Sequence, residues 1–127
     1  MPGIFSIFGR SQDHQLLDQA LRDAGLHPKL VPEAVKIVML RQIKGAGPAA
    51  DADALRARAA RLLAYCYFGP DDFADRCGPQ ALADVETRLE AALDAGDSDD
   101  AKLILLFLHT GLVDDSVTAR YTLALEE

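Results

Sequence analysis

The chain has 127 residues, half of them hydrophobic and 26% charged, a balance that fits one folded domain with one core and excludes a disordered or fibrous protein. Its formal charge of −7 is unevenly placed: residues 1–48 carry six Lys and Arg against four Asp and Glu, and the remainder is strongly acidic, so nucleic acid and anionic lipid are expected to be repelled by most of the surface. No apolar run nears the roughly 18 residues of a membrane span, no secretory leader is recognisable, and Ala and Leu abound while Trp is absent, which together read as a cytoplasmic helical protein of bacterial type.

Ser11 is a suitable N-cap for a first helix in which Leu16, Leu17, Ala20, Leu21 and Ala24 recur at three- and four-residue spacing until Gly25 supplies a left-handed stop. Prolines 28 and 32 disfavour helix in the residues before them, and Pro32 suits the first position of a second helix ending near Lys44. That helix is apolar nearly all round, through Ala34, Val35, Ile37, Val38, Met39, Leu40 and Ile43, and so is expected to lie between others. Gly45-Ala46-Gly47-Pro48 breaks the chain.

A third helix is predicted from about Asp53 to Phe68, with Leu55, Ala59, Leu62, Leu63 and Cys66 inward and Arg56, Arg58 and Arg61 opposite. After Gly69-Pro70 comes one short helical turn over Asp71 to Arg76, then Gly78-Pro79 opens a fourth helix with Leu82, Val85, Leu89, Ala92 and Leu93 inward. Its end, Leu89 to Gly96, loosely echoes Leu17 to Gly25, which points to shared helix-ending chemistry. Asp97-Ser98-Asp99-Asp100 starts a fifth helix whose core, Leu103 to Leu108, is apolar on every side, and Gly111 stops it. Residues 116–127 alternate as a strand would, but an isolated strand has no partner here, so helix is expected.

The pattern as a whole predicts an all-α fold, a compact bundle of five or six helices in orthogonal or irregular packing, with the second and fifth helices central. Residues 1–10 form an apolar N-terminal peptide and 11–127 a single helical domain.

No catalytic motif emerges, so an enzyme is not the favoured reading. His14, His27 and His109 share no ligand spacing, and Cys66 and Cys77 lack a second pair, so no metal and no cofactor are expected. Cys66 and Cys77 read as small core hydrophobes, although Cys77, just before a helix start, is also a candidate for a lowered pKa. His109 suits the negative end of its helix dipole. The carboxylate pairs Asp71-Asp72, Asp99-Asp100 and Asp114-Asp115 sit at predicted helix starts, where capping accounts for them.

Two features suggest recognition. Tyr65, Tyr67, Phe68 and Phe73 fall within nine positions around a Gly-Pro bend, and Ile4, Phe5 and Phe8 would be sticky if exposed. The leading expectation is therefore a non-enzymatic interaction or adaptor module whose partner is another protein or a second copy of the chain. The alternative is a small ligand-binding or enzymatic bundle with a pocket near His109, Cys77 and Tyr121, joined by Tyr65. Nucleic-acid binding, which would need Arg10, Lys29, Lys36, Arg41 and Lys44 on one face, is not expected.

Overall fold

A computed structural model describes residues 12–47 and 50–121. Among these, seven α-helices pack together and no strand occurs: α1 (Gln12–Asp23), α2 (Glu33–Gly45), α3 (Ala52–Phe68), α4 (Pro70–Cys77), α5 (Pro79–Asp94), α6 (Asp99–His109) and α7 (Asp115–Tyr121). Ser11, the apolar residues Ile4, Phe5, Ile7 and Phe8, and the stretch 122–127 lie outside the described residues.

Local chemistry sets most boundaries where the sequence places them. Gly25, at φ 88°, closes α1 with bonds from Gly25 N to Arg22 O and from Leu26 N to Leu21 O, each 2.9 Å. His27 Nδ1 accepts from Lys29 N at 3.1 Å, starting a short 3₁₀ turn, Pro28–Leu30. Asp51 caps α3 by accepting from Ala54 N, and Ser98 caps α6 by accepting from Ala101 N. Residues 115–121 form a helix whose Val117 is buried and whose Tyr121, one turn on, packs partly against the core, while Asp115, Ser116, Ala119 and Arg120 are exposed.

The helix count differs from the expectation because Asp71 to Arg76 is not an isolated turn. Pro70 at its first position and Phe73 in the core extend it to the eight residues of α4. The echo between Leu17–Gly25 and Leu89–Gly96 is not shared capping either: α5 ends at Asp94 with Ala95 as its C-cap at φ −121°, and Gly96 does not take a positive φ.

The larger correction concerns the centre. The middle of the bundle is α3, which packs against α1, α2, α4, α5 and α6. Its Ala59, Ala60 and Ala64 are buried, and such short side chains let neighbours close in from several directions. The shorter, more apolar α2 and α6 lie outside it and leave Ile37, Val38 and Leu105 exposed, and Leu93 of α5 is exposed as well. Arg56, assigned to the outer side of α3, is instead buried and bonded to Asp53.

Polar ties then connect helices whose apolar faces have already met. The Arg88 guanidinium of α5 donates two bonds to Asp100 of α6, at 3.1 and 2.9 Å, and a third to the Arg58 carbonyl of α3 at 2.9 Å.

Candidate functional site

The Tyr65 to Phe73 corner is built on one residue. Proline disfavours helical geometry in the residue before it and itself suits a first helical position, so α3 must stop and α4 begin around Gly69-Pro70. Gly69 takes φ 88° and ψ 168°, a region essentially reserved for glycine. Its N–H donates to Tyr65 O at 2.9 Å and its carbonyl accepts from Phe73 N at 3.0 Å, so the same residue closes one helix and opens the next.

This turn divides the four aromatics. Tyr65 and Phe73 face inward, fully buried, with ring centroids 5.7 Å apart in an edge-to-face arrangement. The Tyr65 hydroxyl donates to Glu86 Oε2 at 3.2 Å and lies 3.4 Å from the Tyr121 hydroxyl, while Arg120 pairs with the same Glu86 oxygen at 3.1 Å. Burial, then the Tyr121 hydroxyl, hold the Tyr65 phenol well above its ordinary pKa, so it stays a neutral donor. Tyr65 and Phe73 therefore pin the corner and offer nothing to a partner.

Tyr67 and Phe68 face the other way. Both are half-buried, their rings meet edge-on at 5.3 Å, and the Arg76 guanidinium stands 4.0 Å over the Phe68 ring. With Asp72 of α4 they form one wall of an open groove of about 490 Å³, and residues 111–115 between α6 and α7 form the other. The walls are tied by the Asp114 N–H, which donates to Cys66 O at 2.6 Å. Asp72, Asp114 and Asp115 give the groove three carboxylates, and among the described residues no Lys, Arg or His lines it. The capping role of Asp114 is visible in the sequence; the meeting of Asp114 and Asp115 with Tyr67 is not, because it joins positions more than 40 apart.

The groups grouped in the alternative pocket part company. Tyr65 and Tyr121 meet through their hydroxyls, but His109 is exposed at the last position of α6 and the Cys77 thiol donates to Ala24 O at 3.3 Å beside the end of α1. Cys77 is the last residue of α4, and Gly78 takes the N-cap place of α5. Partial burial raises its pKa despite Arg61 and Arg76, contrary to the lowered value expected before a helix start. Lys36 leaves the basic set for a different reason: it is buried against Asp18. Among the described residues no group of three His, Cys, Asp or Glu could hold a metal ion, and no helix is long and apolar enough to cross a membrane.

Cys66 is fully buried, and burial pushes its thiol up to about 12 from an ordinary value near 9. A raised native pKa gives stability that is complete below the unfolded value and lost as pH climbs toward the native one. Unfolding free energy should thus fall between about pH 9 and 12, by as much as about 4 kcal/mol from this group. Urea midpoints across that range should decline less steeply in Cys66→Ala, and a thiol reagent at pH 8 should label Cys77 well before Cys66.

No family model matches this chain, and no curated protein or solved structure matches it either.

Proposed function

We propose that this chain is a protein–protein interaction module, and that the groove beside the α3–α4 corner takes a short basic segment of its partner. The supporting observation is the composition of that groove: two half-buried aromatics beside three carboxylates, with Arg76 on the Phe68 ring the nearest cation among the described residues. An arginine or lysine in a partner segment would find ring faces and carboxylates together, while an adjacent apolar residue would rest against Leu112 and Val113. Phe68 shows the pairing within the chain, since Arg76 already covers one face of its ring. Tyr67 is then the aromatic left to a partner. The apolar residues Ile4, Phe5 and Phe8 are a second contact surface in this proposal.

The test is a fluorescence anisotropy titration with a labelled nine-residue peptide alternating Arg and Leu, against an otherwise identical peptide carrying Glu for Arg. The wild-type chain should bind the basic peptide alone. Tyr67→Ala should weaken binding by about tenfold, a loss of roughly 1.4 kcal/mol, and Asp72→Asn with Asp115→Asn should weaken it further at low salt. Equal affinity for the two peptides, or an unchanged affinity in Tyr67→Ala, would refute the proposal.

A further inference from the structure

Among the described residues six large apolar side chains are exposed, and three of them, Leu30, Ile37 and Val38, gather within nine positions at the start of α2. The helix turns Val35, Lys36 and Met39 inward, which leaves Ala34, Ile37, Val38 and Arg41 as its outer stripe at i, i+3, i+4 and i+7. Ile37 is 38% and Val38 42% exposed. Single exposed apolar residues need no explanation, but a contiguous helical stripe marks a surface that another surface covers.

The ends of the stripe carry opposite charges. Glu33 stands at the N-terminal end with its side chain 49% exposed, beside His14, and the exposed Arg41 lies eight residues later. A two-fold axis through Ile37, perpendicular to the helix, sets Ile37 and Val38 against the same pair of a second copy. It also sets Glu33 of each copy across from Arg41 of the other, and the helix dipoles run antiparallel. Ala34 is small enough to let the two helices approach closely.

We infer that α2 is a self-association surface, and that the chain forms an antiparallel two-fold dimer through Ala34, Ile37, Val38 and the reciprocal Glu33–Arg41 pairs. A face of one 13-residue helix is smaller than the roughly 800 Å² per partner of a standard interface, so the dimer is weak and dissociates on dilution. None of the residues lining the corner groove belongs to α2, so a dimer presents two grooves. The inference stands without the groove's function, and Tyr67→Ala should leave the association unchanged.

Sedimentation equilibrium of the full chain decides it. The mass should rise from one protomer toward two between about 5 and 500 μM, a range set by the small interface. Ile37→Asp with Val38→Asp should raise the dimer dissociation constant by more than about tenfold, since it places charges at the centre of the contact. Arg41→Glu should weaken it by about tenfold, and Glu33→Arg added to Arg41→Glu should restore it to within about threefold, because the exchange recreates both pairs. These side chains are exposed, and thermal unfolding confirms that each variant is folded, including any cost of the lost His14–Glu33 contact.

A protomer mass at every concentration would overturn the inference. So would an unchanged constant in the Ile37 and Val38 variant, which would place association on another surface, residues 1–11 included. Failure of the charge exchange to restore association would overturn the two-fold register.

Discussion

Lys36→Ala is expected to lower the unfolding free energy by about 3–5 kcal/mol, the usual cost of removing one member of a buried ion pair. The Lys36 ammonium sits 2.9 Å from Asp18 Oδ1, with side-chain exposures of 3% and 13%, so neither charge has much water to fall back on. Truncation removes the counter-charge facing a nearly buried carboxylate and also deletes a long hydrocarbon stem from the α1–α2 interface. For a domain of this length the loss corresponds to a fall in Tm of roughly 10–20 °C. Lys36→Met keeps the stem and loses only the charge, so it should still cost most of this amount. Lys36→Met combined with Asp18→Leu should recover much of it, because two apolar groups of similar size can replace a buried pair at little cost. Urea denaturation of the wild type, Lys36→Met, Asp18→Leu and the double variant forms a double-mutant cycle; additive losses would show that the two charges do not depend on each other.

That pair also marks where the sequence stops being informative. Lys36 reads as one cation of a basic face because α2 is apolar on nearly every side, and a single sequence does not say which side is covered. The same ambiguity misplaces the centre of the bundle. Leu103 to Leu108 is more apolar than anything in α3, yet α3 is surrounded because alanine at 59, 60 and 64 makes it thin enough to be reached from several directions. Arg56 follows from the same cause, since a helix inside the bundle has no outer side on which to leave every arginine.

Local punctuation, by contrast, is legible. Gly25, Ser98 and the Gly-Pro pairs act through their own backbone geometry and their nearest neighbours, so their positions follow from the sequence. The aromatic corner is legible as a cluster but not in its division, because which rings go inward depends on Glu86 and Tyr121, far along the chain. Its acidic wall is hidden for the same reason. Asp114 and Asp115 look like capping residues, Asp114 accepts from Ser116 N as one, and only the folded chain brings them opposite Tyr67.

The two Gly-Pro junctions separate backbone cost from packing cost. Gly69 and Gly78 have nearly the same geometry, φ 88° and ψ 168° against φ 96° and ψ 161°, and each sits between two helices before a proline. Alanine at either is forced into a conformation that costs about 1–3 kcal/mol. Their surroundings differ: a Cβ at Gly78 meets nothing within 4 Å, whereas one at Gly69 comes 2.6 Å from Ser116 Oγ and 3.1 Å from Asp114 Oδ2. Those two side chains bond to each other, and Asp114 also accepts from Ser116 N, so neither can give way without disturbing the start of α7. Crowding of this kind adds about 1–3 kcal/mol. Gly78→Ala should therefore lose about 1–3 kcal/mol and Gly69→Ala roughly 2–6 kcal/mol, from the sum of strain and crowding. Adding Ser116→Ala to Gly69→Ala should recover part of the excess, and adding it to Gly78→Ala should recover none. The clash at Gly69 also pushes apart the two walls of the groove, which meet where the α3–α4 turn lies against Asp114. At temperatures where both variants remain folded, Gly69→Ala should weaken binding of the basic peptide and Gly78→Ala should not. Equal losses of stability in the two variants would mean that strain alone governs both junctions and that the corner does not set the groove's width.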